Sequence, residues 1–224
     1  MSRFLEILII SASVFLIVMS ANCGYHVVCR DVNQSWLAMA MASGHDLLVL
    51  VNKQNSIDNY APTDLVSLAK LGASSRQIRQ VVYPDLSRML SDAKSQGVNI
   101  KIISAYRSFS RQSALFGYYQ KHFSNADTFS ARAGYSEHQL GTTLDFGTGN
   151  AKIDLTAKFA DTSQGQWLAQ HAWQYGFMMS YPQGQQAVTG YIYEPWHFRY
   201  IGLGAAAKCH NSGLVLQQCL MGGL

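Results

Sequence analysis

The stretch YSEHQLGTTLDF, Tyr135–Phe146, sets one histidine and one aspartate seven residues apart around a glycine. An i, i+7 spacing would place His138 and Asp145 on one face of a helix. Gly141 and the pair Thr142 and Thr143 oppose that reading, because glycine and β-branched residues lower helix propensity. The segment therefore reads as a tight turn at Gly141 running into a short strand, with Asp145 on one face of it. Only 13% of the chain is charged, against a typical ~25%, so two titratable groups in an otherwise apolar and β-branched segment ask for a reason.

A second cluster lies further on. In EPWHFRY, Glu194–Tyr200, His197 and Arg199 alternate with Trp196, Phe198 and Tyr200, so in a strand His197 points away from the aromatic row. Pro195 cannot donate to a ladder, which loosens the backbone at Glu194 and lets it turn toward His197. Taken singly, each histidine is most simply a structural or surface residue, and Asp145 before the Gly-rich FGTGN is a turn residue. Taken together, His138, Asp145 and His197 are a ligand set suited to a catalytic zinc, three protein ligands with a fourth position left for water. Glu194 would then be the nearby carboxylate that takes the water's proton. His26, His45, His122, His171 and His210 have no comparable partner.

Around these clusters the chain reads as alternating helices and strands. HDLLVLVNKQ suggests a strand ending in a polar turn. YAPTDLVSLAK suggests a turn with Thr63 or Asp64 capping a short helix. From Pro84 to Gln96, Leu86, Met89, Leu90 and Ala93 recur at i, i+3, i+4 and i+7. Pro84 at the start and Gly97 past the end bound an amphipathic helix there. VNIKIISAYR alternates as a strand. A helix follows from about Ser110 to His122, with Gln112, Leu115, Phe116 and Tyr119 on one face. Thr162 or Ser163 to Tyr175 is a third helix, with Trp167, Leu168 and Ala172 inward and Gly176 closing it. FMMSYP and EPWHFRYIG read as strands. No repeat or linker interrupts Asp46 to Gly204, so one α+β domain is expected.

The 224 residues, 48% of them hydrophobic, suffice for one substantial core. The net charge of +4 includes no Lys/Arg run, so nucleic acid is not an expected partner. Ile7–Met19 is an uncharged apolar run of the size of a secretory h-region rather than a membrane span. Residues 1–21 are therefore expected to be a signal peptide cleaved after Ala21, with an uncleaved anchor as the alternative. A lipid-modified Cys23 is disfavoured by Asn22. Export to the periplasm or cell envelope, or secretion, gives the four cysteines meaning, since disulfides persist outside the cytosol. Three connectivities are open to Cys23, Cys29, Cys209 and Cys219; the bridge expected is Cys209–Cys219.

SEHQLGTTLDF matches an SxHxxGxxxD signature and EPWHFRYIG an ExxH signature, and both resemble the VanY-type D-alanyl-D-alanine carboxypeptidases. SAYRSFSRQSALF is similar to that family's Tyr-Arg-Ser block, and WLAQHAWQYGFMMSYPQG and TGYIYEPWHFRYIG to its closing segments. The resemblance covers about His45 to Gly204. It implies a single-domain D,D-peptidase/Hedgehog-type α+β fold over 45–204, in which a small antiparallel sheet with flanking helices carries one zinc ion. Residues 22–44 would precede that domain, and 205–224 would follow as a tail.

By the same resemblance His138, Asp145 and His197 are the zinc ligands, Glu194 the catalytic base, and Arg107 a catalytic and substrate-binding residue. Gln112 and Ser136 would belong to the substrate pocket. Arg107 also ends an apolar strand, where a guanidinium needs an anion, and Gln112 on an apolar face needs a hydrogen-bond partner. Trp196 and Tyr200 read as core. Thr143 departs from the family pattern, which often has alanine there.

The implied activity is removal of the terminal D-alanine from peptidoglycan stem peptides by a zinc-bound water. The implied protein is a monomer, held at a membrane only through an uncleaved leader. L,D-carboxypeptidase, endopeptidase and non-catalytic wall-binding readings stay open, because the shared motifs do not separate them.

Overall fold

The computed structural model describes residues 45–222. The expected leader, the segment 22–44 and Cys23 and Cys29 lie outside the described residues. Among those residues no helix is long and apolar enough to cross a membrane. The elements are β1 (Leu65–Leu68), β2 (Ala73–Arg79), α1 (Tyr83–Ser95), β3 (Lys101–Ser104), α2 (Phe109–His122), β4 (Thr143–Gly147), α3 (Ser163–His171), β5 (Phe177–Met179), α4 (Gln186–Thr189), β6 (His197–Tyr200), α5 (Leu203–Ser212) and α6 (Leu216–Gly222).

A four-stranded antiparallel sheet in the order β3-β4-β6-β5 is the centre of the molecule, and β1 and β2 form a separate hairpin. The α+β architecture is as the sequence suggests. Leu86, Met89 and Ala93 of α1 are fully buried in the main core with Leu144, Phe146, Phe177 and Phe198 of the sheet. Each large side chain so buried contributes roughly 1.5–3 kcal/mol. Two tyrosines tie α1 down at its polar edge: Tyr200 donates to Asp85 (2.7 Å) and Tyr175 to Asp92 (2.8 Å). Ser108 caps α2 and Thr162 caps α3, each accepting a backbone N–H with its hydroxyl. The third helix is α-helical only to His171 and tightens into a 3₁₀ turn before Gly176.

Two expectations from the N-terminal half fail. HDLLVLV forms no strand; His45–Leu48 is a 3₁₀ turn followed by irregular chain. Two of its carbonyls are taken by a side chain: Arg199 Nη2 donates to those of Leu47 (3.0 Å) and Val49 (2.5 Å). The helix expected after Thr63 and Asp64 is instead β1, paired with β2 through Val66 and Ile78. Asp64 caps no helix; its carboxylate accepts from Arg79 Nε at 2.8 Å.

After Ser212 the chain turns at Gly213 into α6, and Cys209 and Cys219 form the expected disulfide. Ile201, Ala206, Leu216 and the two cysteines make a small apolar cluster beside the main core.

Candidate metal centre

Strand pairing assembles the site. Asp145 of β4 and His197 of β6 are direct partners across an antiparallel ladder, and side chains so placed start about 5 Å apart at Cβ. His138 arrives from the other side. Glu137–Leu140 is a 3₁₀ turn ended by Gly141 at φ +73°. A Cβ at Gly141 would come within 2.8 Å of Arg79 Cγ and 3.0 Å of Pro62 Cγ, so conformation and space both require glycine. The turn and strand read from Gly141 onward are thus present, with the 3₁₀ turn before them as an addition.

His138, Asp145 and His197 are each nearly fully buried, and one potential ligand atom from each lies within 4.8 Å of the others. His138 Nε2 is 3.2 Å from Asp145 Oδ2, and His197 Nδ1 is 3.1 Å from Asp145 Oδ1. Asp145 Oδ1 is buried with no hydrogen-bond partner of good geometry among the described residues. Tetrahedral zinc with bonds near 2.0–2.1 Å puts neighbouring ligand atoms about 3.3 Å apart, close to these two edges.

The far nitrogen of each imidazole is held. His138 Nδ1 meets the carbonyl of Ala105 at 2.8 Å, so it donates and frees Nε2 as a lone pair. His197 Nε2 meets Glu137 Oε2 at 3.0 Å, which leaves Nδ1 toward Asp145. Orienting partners of this kind fix tautomer and ring direction at metal-binding histidines. The donor set fits a metal ion.

Glu194 stands next to this set. His197 N–H donates to the Glu194 carbonyl (3.1 Å), closing a turn over Pro195 that brings Glu194 Oε2 within 3.6 Å of His197 Nδ1. Burial, with Asp145 and Glu137 nearby, pushes the Glu194 carboxyl up to about 8, against the pull of His197 and Arg107. Burial opposes charge on His197, but Asp145 and Glu137 outweigh it and push the imidazole up to about 10. Burial lowers His138 and is reinforced by Arg107.

Glu137 and Arg199 are absent from the residues singled out by sequence. Glu137 is buried and accepts from Ser180 Oγ (2.6 Å) and Arg199 Nη1 (3.1 Å) as well as meeting His197. Burial alone would raise its carboxyl; His197, Arg199 and Ser180 overcome that and bring it down to about 2. The signal was present in the strand alternation, which puts Arg199 on the same face as His197, where a buried guanidinium requires a carboxylate.

Arg107 lines the cavity over the cluster, with Nη2 3.8 Å from Asp145 Oδ2. Burial lowers its pKa, and Asp145 opposes that. Gln112 does not line the cavity. It is fully buried, its Oε1 accepts from Arg107 Nη1 (2.8 Å) and its Nε2 donates to the Ala131 carbonyl (2.5 Å). In place of the expected position on the substrate pocket, Gln112 holds Arg107 through its Oε1. Ser136 lines the cavity, as do Tyr181, Tyr191 and Trp196. Trp196 also belongs to the core, as expected, so it serves both. Thr143 buries an Oγ1 with no hydrogen-bond partner among the described residues.

A family model for VanY, D-alanyl-D-alanine carboxypeptidase, matches residues 75–203, more than half of the chain and all of this site. The chain belongs to the VanY family. A D-alanyl-D-alanine carboxypeptidase of Enterococcus faecium is 33% identical over 182 residues, 76% of this chain and 56% of that protein. The matches span 66% of the length of a putative carboxypeptidase of Bacillus subtilis and 56% of the Enterococcus faecium protein. Among solved structures, the LD-carboxypeptidase LdcB is 34% identical with a TM-score of 0.70, covering 78% of this chain and 86% of that one. A mutant of the vancomycin-resistance D,D-pentapeptidase VanY, in complex with Zn(II), is 29% identical with a TM-score of 0.66, covering 78% and 99%. The VanY-type zinc peptidase fold expected from the motifs is thus the fold of this chain.

Proposed function

We propose that this protein is a zinc-dependent D-alanyl-D-alanine carboxypeptidase that removes the terminal D-alanine from peptidoglycan stem peptides. The observation that carries the reading is Glu194: a fourth acidic or basic group, outside the three-ligand set, held 3.6 Å from His197 at the cavity wall. A site that only bound metal or wall polymer would not need it. Relatives named for D-alanyl-D-alanine carboxypeptidase activity, and a VanY structure holding D-alanine-D-alanine, support the substrate class.

His138, Asp145 and His197 would hold one zinc ion. Bound there, zinc supplies Lewis acidity, lowering the pKa of water toward about 7 and polarising a carbonyl. The chain's own groups do the rest. Glu194 takes the proton of the attacking water and then passes it to the leaving amine. Arg107, held by Gln112 and by Ser104 Oγ (3.1 Å), opposes negative charge developing on the scissile carbonyl oxygen. Ser136 and the aromatic walls bound the space of about 240 Å³ in which the terminal residues would sit.

The L,D reading, removal of the last residue of a stem tetrapeptide, keeps support from LdcB and from an L,D-carboxypeptidase of Streptococcus pneumoniae at 30% identity. The Cys209–Cys219 disulfide and the apolar run Ile7–Met19 support an exported protein. Zinc-loaded protein incubated with stem pentapeptide and, separately, tetrapeptide tests the proposal by product mass, with Glu194→Ala as control. Loss of one alanine from the pentapeptide alone is the expected result. Loss from the tetrapeptide alone moves the specificity to L,D, and no cleavage of either peptide overturns the carboxypeptidase reading.

A further inference from the structure

The cavity over the ligand cluster has a neighbour. Ser130 and Tyr191 line that cavity and also a second one of about 540 Å³, on the side of α2 and the loop after it. The second cavity is bounded by two cations, Lys53 and Arg132, and one carboxylate, Asp127. Among the described residues neither cation has a carboxylate within 4.0 Å. Each is instead stacked on an aromatic ring of the same cavity, with Lys53 Nζ 4.9 Å from the Tyr191 centroid and the Arg132 guanidinium 4.9 Å from that of Tyr135.

Stacking orients a cation while leaving its N–H donors open to a further partner. Lys53 is also steered along its stem. Its side chain runs across Gly190, where a Cβ would come within 3.1 Å of Lys53 Cδ. Tyr191, the shared wall, is itself buried and in ring contact with Tyr181, which in turn packs on His197. A peptide whose terminal residues filled the first cavity could therefore continue past Tyr191 into a compartment with excess positive charge.

We propose that the second cavity binds an anionic group of the substrate upstream of the scissile bond, a carboxylate held between Lys53 and Arg132, so that the enzyme prefers stem peptides whose acidic residues are free over those amidated. The proposal deepens the carboxypeptidase reading and rests on it for the placement of the peptide. Both cations are at least partly exposed and the pairing is screened by solvent, which limits the preference to about tenfold in affinity.

The test measures binding apart from turnover. Zinc-loaded Glu194→Ala protein is titrated calorimetrically with two peptides that differ only by a carboxylate or carboxamide at the second or third residue before the scissile bond. The acidic peptide is expected to bind about tenfold tighter. Adding Lys53→Gln and Arg132→Gln should erase the difference, leave the affinity of the amidated peptide unchanged and leave zinc content unchanged. The charge-conserving pair Lys53→Arg and Arg132→Lys should retain part of it. Equal affinities at the start, or a preference that survives the double Gln variant, overturn the proposal.

The otherwise wild-type chain separates the two readings. With activity present, the preference should appear in KM with kcat unchanged. Failure to cleave either peptide while the binding preference stands removes the carboxypeptidase reading and leaves the anion site. Cleavage of both with equal affinity does the reverse. If a glycerol phosphate polymer binds in a manner lost in the double Gln variant, while the two peptides bind alike, the anion is a phosphodiester of the wall and the peptide assignment is overturned.

Discussion

Around His197 the protein buries three carboxylates, Asp145, Glu137 and Glu194, against Arg199 and Arg107 at its margin, whereas α5 and α6, which follow β6 directly, enclose a few apolar side chains and a disulfide. In the first region nearly every group is held by another group of the same network, so removing one leaves a charge uncompensated in a dry place. In the second, contacts are few and non-directional, and the covalent link acts largely on the unfolded chain. Damage to the network should therefore be read in metal binding and turnover. Damage to the tail should be read in stability alone.

The sharpest break of that contrast is His138→Ala, which removes one of the three proposed ligands. The variant should hold no stoichiometric zinc by elemental analysis and show no detectable peptide cleavage; full zinc occupancy would contradict the ligand assignment. Next is Glu194→Ala, which should keep zinc at one per chain and lose about 10³-fold in kcat, the scale of a positioned acid–base group. Near-normal turnover would remove Glu194 from the chemistry.

Glu137→Gln tests the partner behind His197. It should weaken zinc about 10–100-fold, as loss of a residue orienting a metal-binding histidine does, read by competition with a chromophoric chelator. Unchanged affinity would make Glu137 a purely structural anchor for Arg199.

Acid should reach the same residue. The folded Glu137 carboxyl lies at about 2 against an ordinary 4.5, so its ionised form is favoured by folding. That contribution is complete above about pH 4.5 and disappears as pH falls toward 2, about 3 kcal/mol in all. Thermal melts of the wild type and Glu137→Gln over that range should converge at the acid end. The mildest effect belongs to the tail. Cys209→Ser with Cys219→Ser should cost about 2–3 kcal/mol and lower the melting temperature, with zinc affinity and kcat unchanged at a temperature where the variant is folded. A lowered zinc affinity would show that the two regions are coupled.

Much of this division is legible in the sequence, and unevenly so. Helix α1 announces itself because Pro84, Gly97 and the spacing of Leu86, Met89 and Ala93 are all local signals. The proposed ligand set is legible because Asp145 on β4 and His197 on β6 are titratable groups in otherwise largely apolar segments. The segments before α1 mislead because their fate is set at a distance. Leu47 and Val49 give their carbonyls to Arg199, some 150 residues on, and Leu65–Leu68 extends because β2 offers it a partner. Glu137 hides in the motif it belongs to: its partners Ser180, His197 and Arg199 lie on other elements, and no local spacing reveals them. Gln112 is visible as an anomaly on an apolar face, but its direction, toward Arg107 and Ala131, is decided by the fold. The second cavity follows the same rule, since Lys53, Arg132 and Tyr191 share no local pattern.

The pairing of Asp145 with His197 has one more consequence, which concerns time rather than place. These partners are 52 residues apart in the chain and meet only when β6 joins β4. Closing a loop of that length is costly in chain entropy until the ladder compensates it. Until the central sheet closes, Asp145 and His197 stay apart, so the proposed metal centre can form only together with the β4–β6 ladder.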